Sequence, residues 1–226
     1  MDDTTVVVTG GSRGIGAACV RAFAEAGATV VACARDVEPI EAMTGEFDRV
    51  KAVRADVRDE YDVERLMETA ARIGGSIDVV VANAGVNHGP PGEMSLDGEP
   101  YARFDDTLRT NVRGVFATVK EAVPHLASDA RILVPSGSIA REAKPGMGAY
   151  AVSKAGAEAL ARGFATDLKQ VVGVVDPGLV ATDLAGGQGR DAADVAPMFV
   201  WAATDCPTAD LDGEIVDLRA WKGATR

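Results

Sequence analysis

Tyr150 and Lys154 stand four positions apart in the run Gly148-Ala-Tyr-Ala-Val-Ser-Lys154. On a helix that spacing puts both side chains on one face, and an ammonium beside a phenol makes the phenol easier to ionise. A tyrosine tuned in this way can exchange a proton with a substrate oxygen. The other residues suited to chemistry lie upstream: the loop Thr9-Gly-Gly-Ser-Arg-Gly-Ile-Gly16, the triplet Asn83-Ala84-Gly85, Asn111 and Ser138, with Ser136 two places before it. Singly, each has an ordinary explanation, as a helix-start aromatic, a solvated lysine, a polar helix residue or a loop hydroxyl. Their joint presence is what points to a site.

Gly10, Gly14 and Gly16 follow the strand-like Val6-Val-Val-Thr9 directly, in the spacing G-x-x-x-G-x-G, with Ser12, Arg13 and Ile15 between them. Glycines let a backbone approach a pyrophosphate, and a helix opening there presents free amides and the positive end of its dipole. The common dinucleotide spacing is G-x-G-x-x-G, and such a loop alone is also compatible with a tight turn. The strand before it and the apolar run Ala17-Ala-Cys-Val20 after it supply the context of a phosphate cradle.

These residues need a scaffold, and the pattern along the chain provides one. Strands are expected at Thr4 to Thr9, Thr29 to Ala34, Val50 to Ala55, Ile77 to Ala82, Arg131 to Pro135, Val171 to Val175 and Glu214 to Leu218. Helices are expected at Ala17 to Ala26, Glu38 to Phe47, Glu60 to Ile73, Arg103 to Leu126, Ala149 to Leu168 and Val195 to Thr204. Continuous apolar strands alternating with helices predict a doubly wound α/β domain, a Rossmann-type parallel sheet covered on both faces. The 226 residues fit this single domain, without repeat, linker or low-complexity tract. One loop, Val86 to Glu99, is rich in Gly and Pro.

The formal net charge of -11 and the lack of a basic cluster argue against a nucleic-acid or anionic-membrane partner. No apolar stretch approaches the roughly 20 residues of a membrane span. Met1-Asp2-Asp3 carries no basic n-region, so a cytoplasmic protein is expected. Cys19, Cys33 and Cys206 lack Cys-x-x-Cys spacing, and neither His88 nor His125 has a ligand neighbour, so no disulfide framework and no metal site are expected. Only six of the 23 basic residues are lysine, and aspartate outnumbers glutamate. That balance resembles proteins of salt-loving archaea; a GC-rich genome encoding an ordinary acidic protein would give it too.

Over nearly its whole length the chain resembles the short-chain dehydrogenases/reductases. The loop Thr9 to Gly16 matches that family's cofactor loop, and Asp56-Val57 its adenine-contacting pair. Asn83-Ala84-Gly85 matches the end of the fourth strand, although Ala82 stands where a further asparagine is frequent. Asn111, Ser138, Tyr150 and Lys154 fall in the order of the family's catalytic tetrad. The segment from Pro177-Gly178 through Val180 to Thr182 matches the one that holds the nicotinamide carboxamide.

The resemblance implies an oxidoreductase interconverting a carbonyl and a secondary alcohol with a nicotinamide cofactor. Tyr150 would be the general acid or base, and Lys154 would lower its pKa and hold ribose hydroxyls. Ser138 would bind the substrate oxygen, and Asn111 would organise a proton-carrying water. Ser138 lies 12 positions before Tyr150, one fewer than usual, which keeps Ser136 as an alternative. Where an NAD enzyme generally carries an acid at the end of the second strand, this chain has Ala34 and then Arg35, with Arg13 in the glycine loop. Two arginines favour the 2′-phosphate of NADP(H); Asp36, one residue on, keeps NAD(H) possible. The stretch from Asp183 to Ala193 is short for a substrate lid, so an open pocket is expected, and Asp176 before Pro177 is unusual. Alternatives are a 3-oxoacyl thioester reductase and a non-catalytic, cofactor-binding regulatory protein. The family also implies a homodimer or homotetramer, built through the two long helices with Phe116, Val123, Phe164 and Leu168 as contacts.

Overall fold

Valine-rich segments whose side chains alternate between two faces are stable only when both faces are covered. In the computed structural model, which describes residues 1–225, the chain does this with one parallel sheet of seven strands in the order β3-β2-β1-β4-β5-β6-β7. The strands are β1 (Thr5–Thr9), β2 (Thr29–Ala34), β3 (Val50–Arg54), β4 (Ile77–Val81), β5 (Leu126–Pro135), β6 (Val171–Asp176) and β7 (Ile215–Asp217). The helices are α1 (Gly14–Glu25), α2 (Glu38–Thr44), α3 (Glu60–Gly74), α4 (Tyr101–Leu108), α5 (Gly114–Ala122), α6 (Gly148–Asp167), α7 (Ala192–Thr204), α8 (Thr208–Leu211) and α9 (Leu218–Ala224).

The two-residue period of β1 is visible in the packing. Val6 and Val8 join Cys19, Val20 and Phe23 of α1 and Met198 and Phe199 of α7. Val7 faces the opposite core, with Leu66 and Met67 of α3, Val115 and Val119 of α5 and Ala157 and Ala161 of α6. All of these are buried, and each large aliphatic or aromatic side chain so covered stabilises the fold by about 1.5–3 kcal/mol. From β1 the chain winds outward to β2 and β3, then returns to lay β4 on the other side. The reversal leaves a crevice beyond the carboxyl ends of β1 and β4, where such sheets place ligands.

Four expectations from the sequence need correction. The helix expected over Arg103 to Leu126 is broken by a π-helical turn at Arg109–Arg113 and closes in a 3-10 turn at Val123–His125, where Pro124 cannot continue the α ladder. Leu126 therefore opens β5, pairing with Ile77, and the register jumps between Ile77 and Val79 to reach Arg131. The last long helix begins at Ala192 instead of Val195, since the Asp191 side chain accepts from the Ala193 amide at 2.9 Å as an N-cap. The last strand stops at Asp217, whose carboxylate accepts from Arg219 and Ala220 amides at 2.9 and 2.8 Å and turns Leu218 into the start of α9. Among the described residues no helix is long and apolar enough to cross a membrane. The three cysteines are free and buried, and burial pushes their thiols up, that of Cys33 to about 12.

Candidate functional site

The crevice is a cleft of about 1040 Å³ running across the carboxyl ends of the strands. Every site residue expected from the sequence lines it except Gly16 and Asn111, which lie behind its wall.

At one end the glycine loop turns from β1 into α1. Gly10 has φ +68°, open to a residue without a side chain. A Cβ on Gly16 would collide with the Gly10 carbonyl oxygen and Asn83 Nδ2, so Gly16 serves the close packing of the loop. Asn83 buttresses the same loop, donating from Nδ2 to the carbonyls of Thr9 (2.9 Å) and Gly10 (3.2 Å), while the Ala84 amide donates to Thr9 Oγ1 at 3.1 Å. Arg13 is the N-cap residue and gives α1 no side-chain cap, leaving first-turn amides available to an anion. Its guanidinium instead reaches across the cleft mouth to Asp183 Oδ2 at 3.1 Å.

Beyond β2 and β3, Arg35 and Asp36 are both exposed on the cleft, near Asp56 and Val57. Partial burial pushes the Asp56 carboxyl up, but hydrogen bonds and charge from Arg58, with a smaller contribution from Arg35, more than offset this and hold it below the usual range. Arg58 Nη2 donates to Asp56 Oδ2 at 2.6 Å and its Nη1 to Asp106 Oδ1 at 2.7 Å; Asp106 Oδ2 in turn meets His88 Nε2 at 2.8 Å. Asp56 and Arg58 are two positions apart, but the sequence gives no sign that Asp106 and His88 join them, because they lie 48 and 18 positions from their partners.

At the other end, α6 presents Tyr150 and Lys154. Lys154 Nζ lies 5.7 Å from the Tyr150 ring centre and donates to the Pro135 carbonyl at 3.0 Å. Burial pushes the phenol up to about 12. It pushes the ammonium down to about 8, with the Glu158 carboxylate pulling the other way. The expectation that Lys154 lowers the tyrosine pKa is thus not met in this arrangement, since the ammonium is turned to Pro135 and desolvation dominates the phenol. Ser138 opens a 3-10 turn after β5, half-buried on the cleft, and its Oγ accepts from Lys144 Nζ at 3.2 Å. Ser136 is buried and donates to Glu158 Oε1 at 2.7 Å.

Asn111 sits in the π-helical turn, 2% exposed. Its Oδ1 accepts from the Val86 amide at 2.8 Å, and its Nδ2 donates to the Val86 carbonyl and to Ser153 Oγ, both at 2.9 Å. Both Nδ2 hydrogens are engaged, so the side chain fastens the loop after β4 to α6 and has no free donor for a water. Next to it, Thr110 lines the cleft with a buried Oγ1 that has no hydrogen-bond partner among the described residues. A buried hydroxyl without a partner is a place for an internal water.

Over the substrate end, Asn87 Nδ2 donates to the Leu184 carbonyl at 3.2 Å, and the Gly92 and Met94 amides donate to the Gly146 carbonyl at 3.0 and 2.9 Å. The Gly/Pro-rich loop therefore forms part of the wall. The segment after Thr182 is a single 3-10 turn, Asp183–Ala185, followed by a loop to α7. Asp176, without explanation in the sequence, accepts from the Gly178 amide through Oδ1 at 3.0 Å and from Arg141 through Oδ2.

The sequence matches the family described as short chain dehydrogenase over residues 4–193. It is 33% identical over 187 residues to the oxidoreductase asL5 of Sarocladium schorii, covering 80% of this chain and 74% of that protein. It is 36% identical over 184 residues to the L-fucose dehydrogenase of Mus musculus, covering 79% of this chain and 66% of that one, about two thirds of the relative's length. Among solved structures it is similar to a short chain dehydrogenase from Burkholderia cenocepacia J2315 in complex with NADP, with TM-score 0.86, 30% identity and 97% of each chain covered. It is also similar to a 3-ketoacyl-(acyl-carrier-protein) reductase from Brucella melitensis complexed with NADH, with TM-score 0.87, 25% identity, and 96% of this chain and 97% of that one covered.

Proposed function

We propose, on the premise that the chain belongs to the short chain dehydrogenase family, that it is an NADP(H)-preferring oxidoreductase interconverting a ketone and a secondary alcohol. The observation that carries this is the single cleft in which a phosphate cradle at one end faces Tyr150, Lys154 and Ser138 at the other. The uncapped start of α1 and the glycine loop before it fit a dinucleotide, whose nicotinamide ring supplies the hydride when bound. Tyr150, protonated at neutral pH, donates the proton to the oxygen that develops charge, and returns as its acceptor in the opposite direction. Ser138 accepts from Lys144, and its own hydroxyl proton, turned to the exposed Glu142, passes to the substrate oxygen when that oxygen takes Glu142's place. Lys154, which lines the same cleft, would hold ribose hydroxyls.

The 2′-phosphate is assigned to Arg35. Arg13 is paired with Asp183, whereas Arg35 stands exposed on the cleft and forms no salt bridge among the described residues. A charge-assisted hydrogen bond is worth roughly 1.5–3 kcal/mol, so Arg35→Ala should weaken NADPH about ten- to a hundredfold and leave NADH nearly unchanged. Dissociation constants for both cofactors at fixed salt, with a turnover screen over ketones, sugars and 3-oxoacyl thioesters, test the reading. Equal weakening of both cofactors would make Arg35 structural and move the preference to Asp36 and NADH. The likeness to a 3-ketoacyl reductase favours the thioester arm of the screen as the second reading.

Self-association through α4, α5 and α6 is part of the proposal. Phe116 and Val123 remain 42% and 39% exposed, and Phe116 borders an apolar groove with Leu108, Val112 and Leu160. Phe164 and Leu168 are half-buried against their own core, with Phe164 stacked on Phe116 at 5.9 Å, so they support the contact surface from below. Light scattering should give a dimer or tetramer, and Phe116→Asp should shift it toward monomer; a monomeric, active wild type would sink this part.

A further inference from the structure

Resting on that reading, we infer that Arg141 is a positioning residue that clamps the serine turn, helix α6 and the Pro177-Gly178 turn into the relative placement that proton and hydride transfer require. Arg141 follows the Ser138–Ala140 turn, and its two terminal nitrogens diverge: Nη1 donates to Glu158 Oε1 and Nη2 to Asp176 Oδ2. Each acceptor is itself tied to the site. Glu158 is 2% exposed, lies one helical turn beyond Lys154 on the same face of α6, and accepts from Ser136 Oγ at 2.7 Å. Asp176 is 7% exposed at the end of β6 and accepts from the Gly178 amide at 3.0 Å. One guanidinium thus joins the end of β5, the helix carrying Tyr150 and Lys154, and the turn expected to receive the nicotinamide carboxamide.

The charges explain why a cation is needed at this point. The groups facing the cluster are Glu158 and Lys154 from α6, Asp176 from β6, Ser136 just after β5 and Arg141 at the end of the turn. Lys154 donates to the Pro135 carbonyl and has no salt bridge to Glu158, so the two buried carboxylates depend on Arg141 for direct ion pairing. Without it, both buried carboxylates lose their direct ion pair, and nothing ties the Gly178 turn to helix α6. Only arginine presents a rigid planar fork that reaches two acceptors at once; lysine is a single point charge. Glu158 does not line the cleft, and Asp176, which does, has both oxygens engaged by Arg141 and the Gly178 amide, so the effect on turnover is one of geometry, where a displacement of about 1 Å costs on the order of a hundredfold.

The test is Arg141→Gln and Arg141→Lys, read by kcat and KM for the best ketone and by dissociation constants for NADPH and for adenosine 2′,5′-bisphosphate, which lacks the nicotinamide. Arg141→Gln should lower kcat about ten- to a hundredfold, weaken NADPH several-fold and leave the bisphosphate unchanged. Arg141→Lys should recover part of kcat. Asp176→Asn cuts only the arm to the Gly178 turn and keeps Glu158 paired, so it should show the same selective loss should Arg141→Gln not fold. Unchanged kcat, or equal weakening of NADPH and the bisphosphate, would overturn the assignment, as would failure of both variants to fold, which would make the cluster purely structural. A wild type that binds neither NADPH nor NADH overturns the functional reading itself, whereas an active wild type with an unaffected Arg141→Gln overturns this inference alone.

Discussion

Tyr150→Phe should lower turnover by about 10²- to 10⁴-fold, the range that positioned general acids contribute, while cofactor affinity stays near that of the wild type. The substitution removes one oxygen and leaves the ring, its position on α6 and the Lys154 contact to Pro135 in place. Burial pushes the phenol up to about 12, so at neutral pH the hydroxyl carries its proton and is ready to donate it, which favours the reductive direction. Lys154 sets the pH limit. Its pKa is lowered to about 8 by burial, so it is charged below that pH and neutral above it. In reduction, kcat/KM, which reports the free enzyme, should hold level up to about pH 8 and fall as the pH rises further. Steady-state rates between pH 6 and 10 check the sign; a profile that rises through pH 8 would show that neutral Lys154 is the active form. Phenylalanine activity above a tenth of wild type would take Tyr150 out of the mechanism.

How far these arguments could be read from the sequence depended on distance along the chain. The glycine loop was legible because its determinants are local, a β-branched run, three glycines and an apolar helix within about twenty residues. The Tyr150 and Lys154 pair was legible because helical periodicity alone sets its geometry. The family resemblance and its fold also stood in the order of short segments, and the sheet bears this out. The π-helical turn was not legible, since it accompanies contacts of Asn111 with Val86 and Ser153, 25 and 42 positions away. The same holds for the Arg141 clamp, whose members are separated by 17 and 35 positions; only the oddness of Asp176 before Pro177 marked it. The partner of the Lys154 ammonium was not legible for a related reason. Spacing places its stem beside Tyr150, but the head follows the nearest strong acceptor, and the Pro135 carbonyl comes from β5.

The choice between Ser136 and Ser138, open on spacing alone, turns on their partners. Ser136 is buried and donates to Glu158, so its hydroxyl proton is committed inside the protein, while Ser138 faces the cleft and accepts from Lys144. Glu142 is part of the same corner: Lys144 first, then the Ser138 hydroxyl, hold its carboxyl below the ordinary range. A substrate oxygen entering here would replace Glu142 as the acceptor of the Ser138 proton, and the interaction would strengthen as negative charge grows on that oxygen. Loss of one such donor costs about 10²- to 10³-fold in kcat, and Ser138→Ala should fall in that range with KM little changed. Ser136→Ala leaves Glu158 paired with Arg141; it should cost about 1–3 kcal/mol of stability, as removal of a partner from a buried acceptor does, and less than tenfold in kcat. Thermal unfolding and steady-state kinetics on the two variants separate the roles. The reverse ranking, with Ser136→Ala catalytically crippled at normal stability, would transfer the substrate contact to Ser136 and require Glu158 to release that hydroxyl on binding.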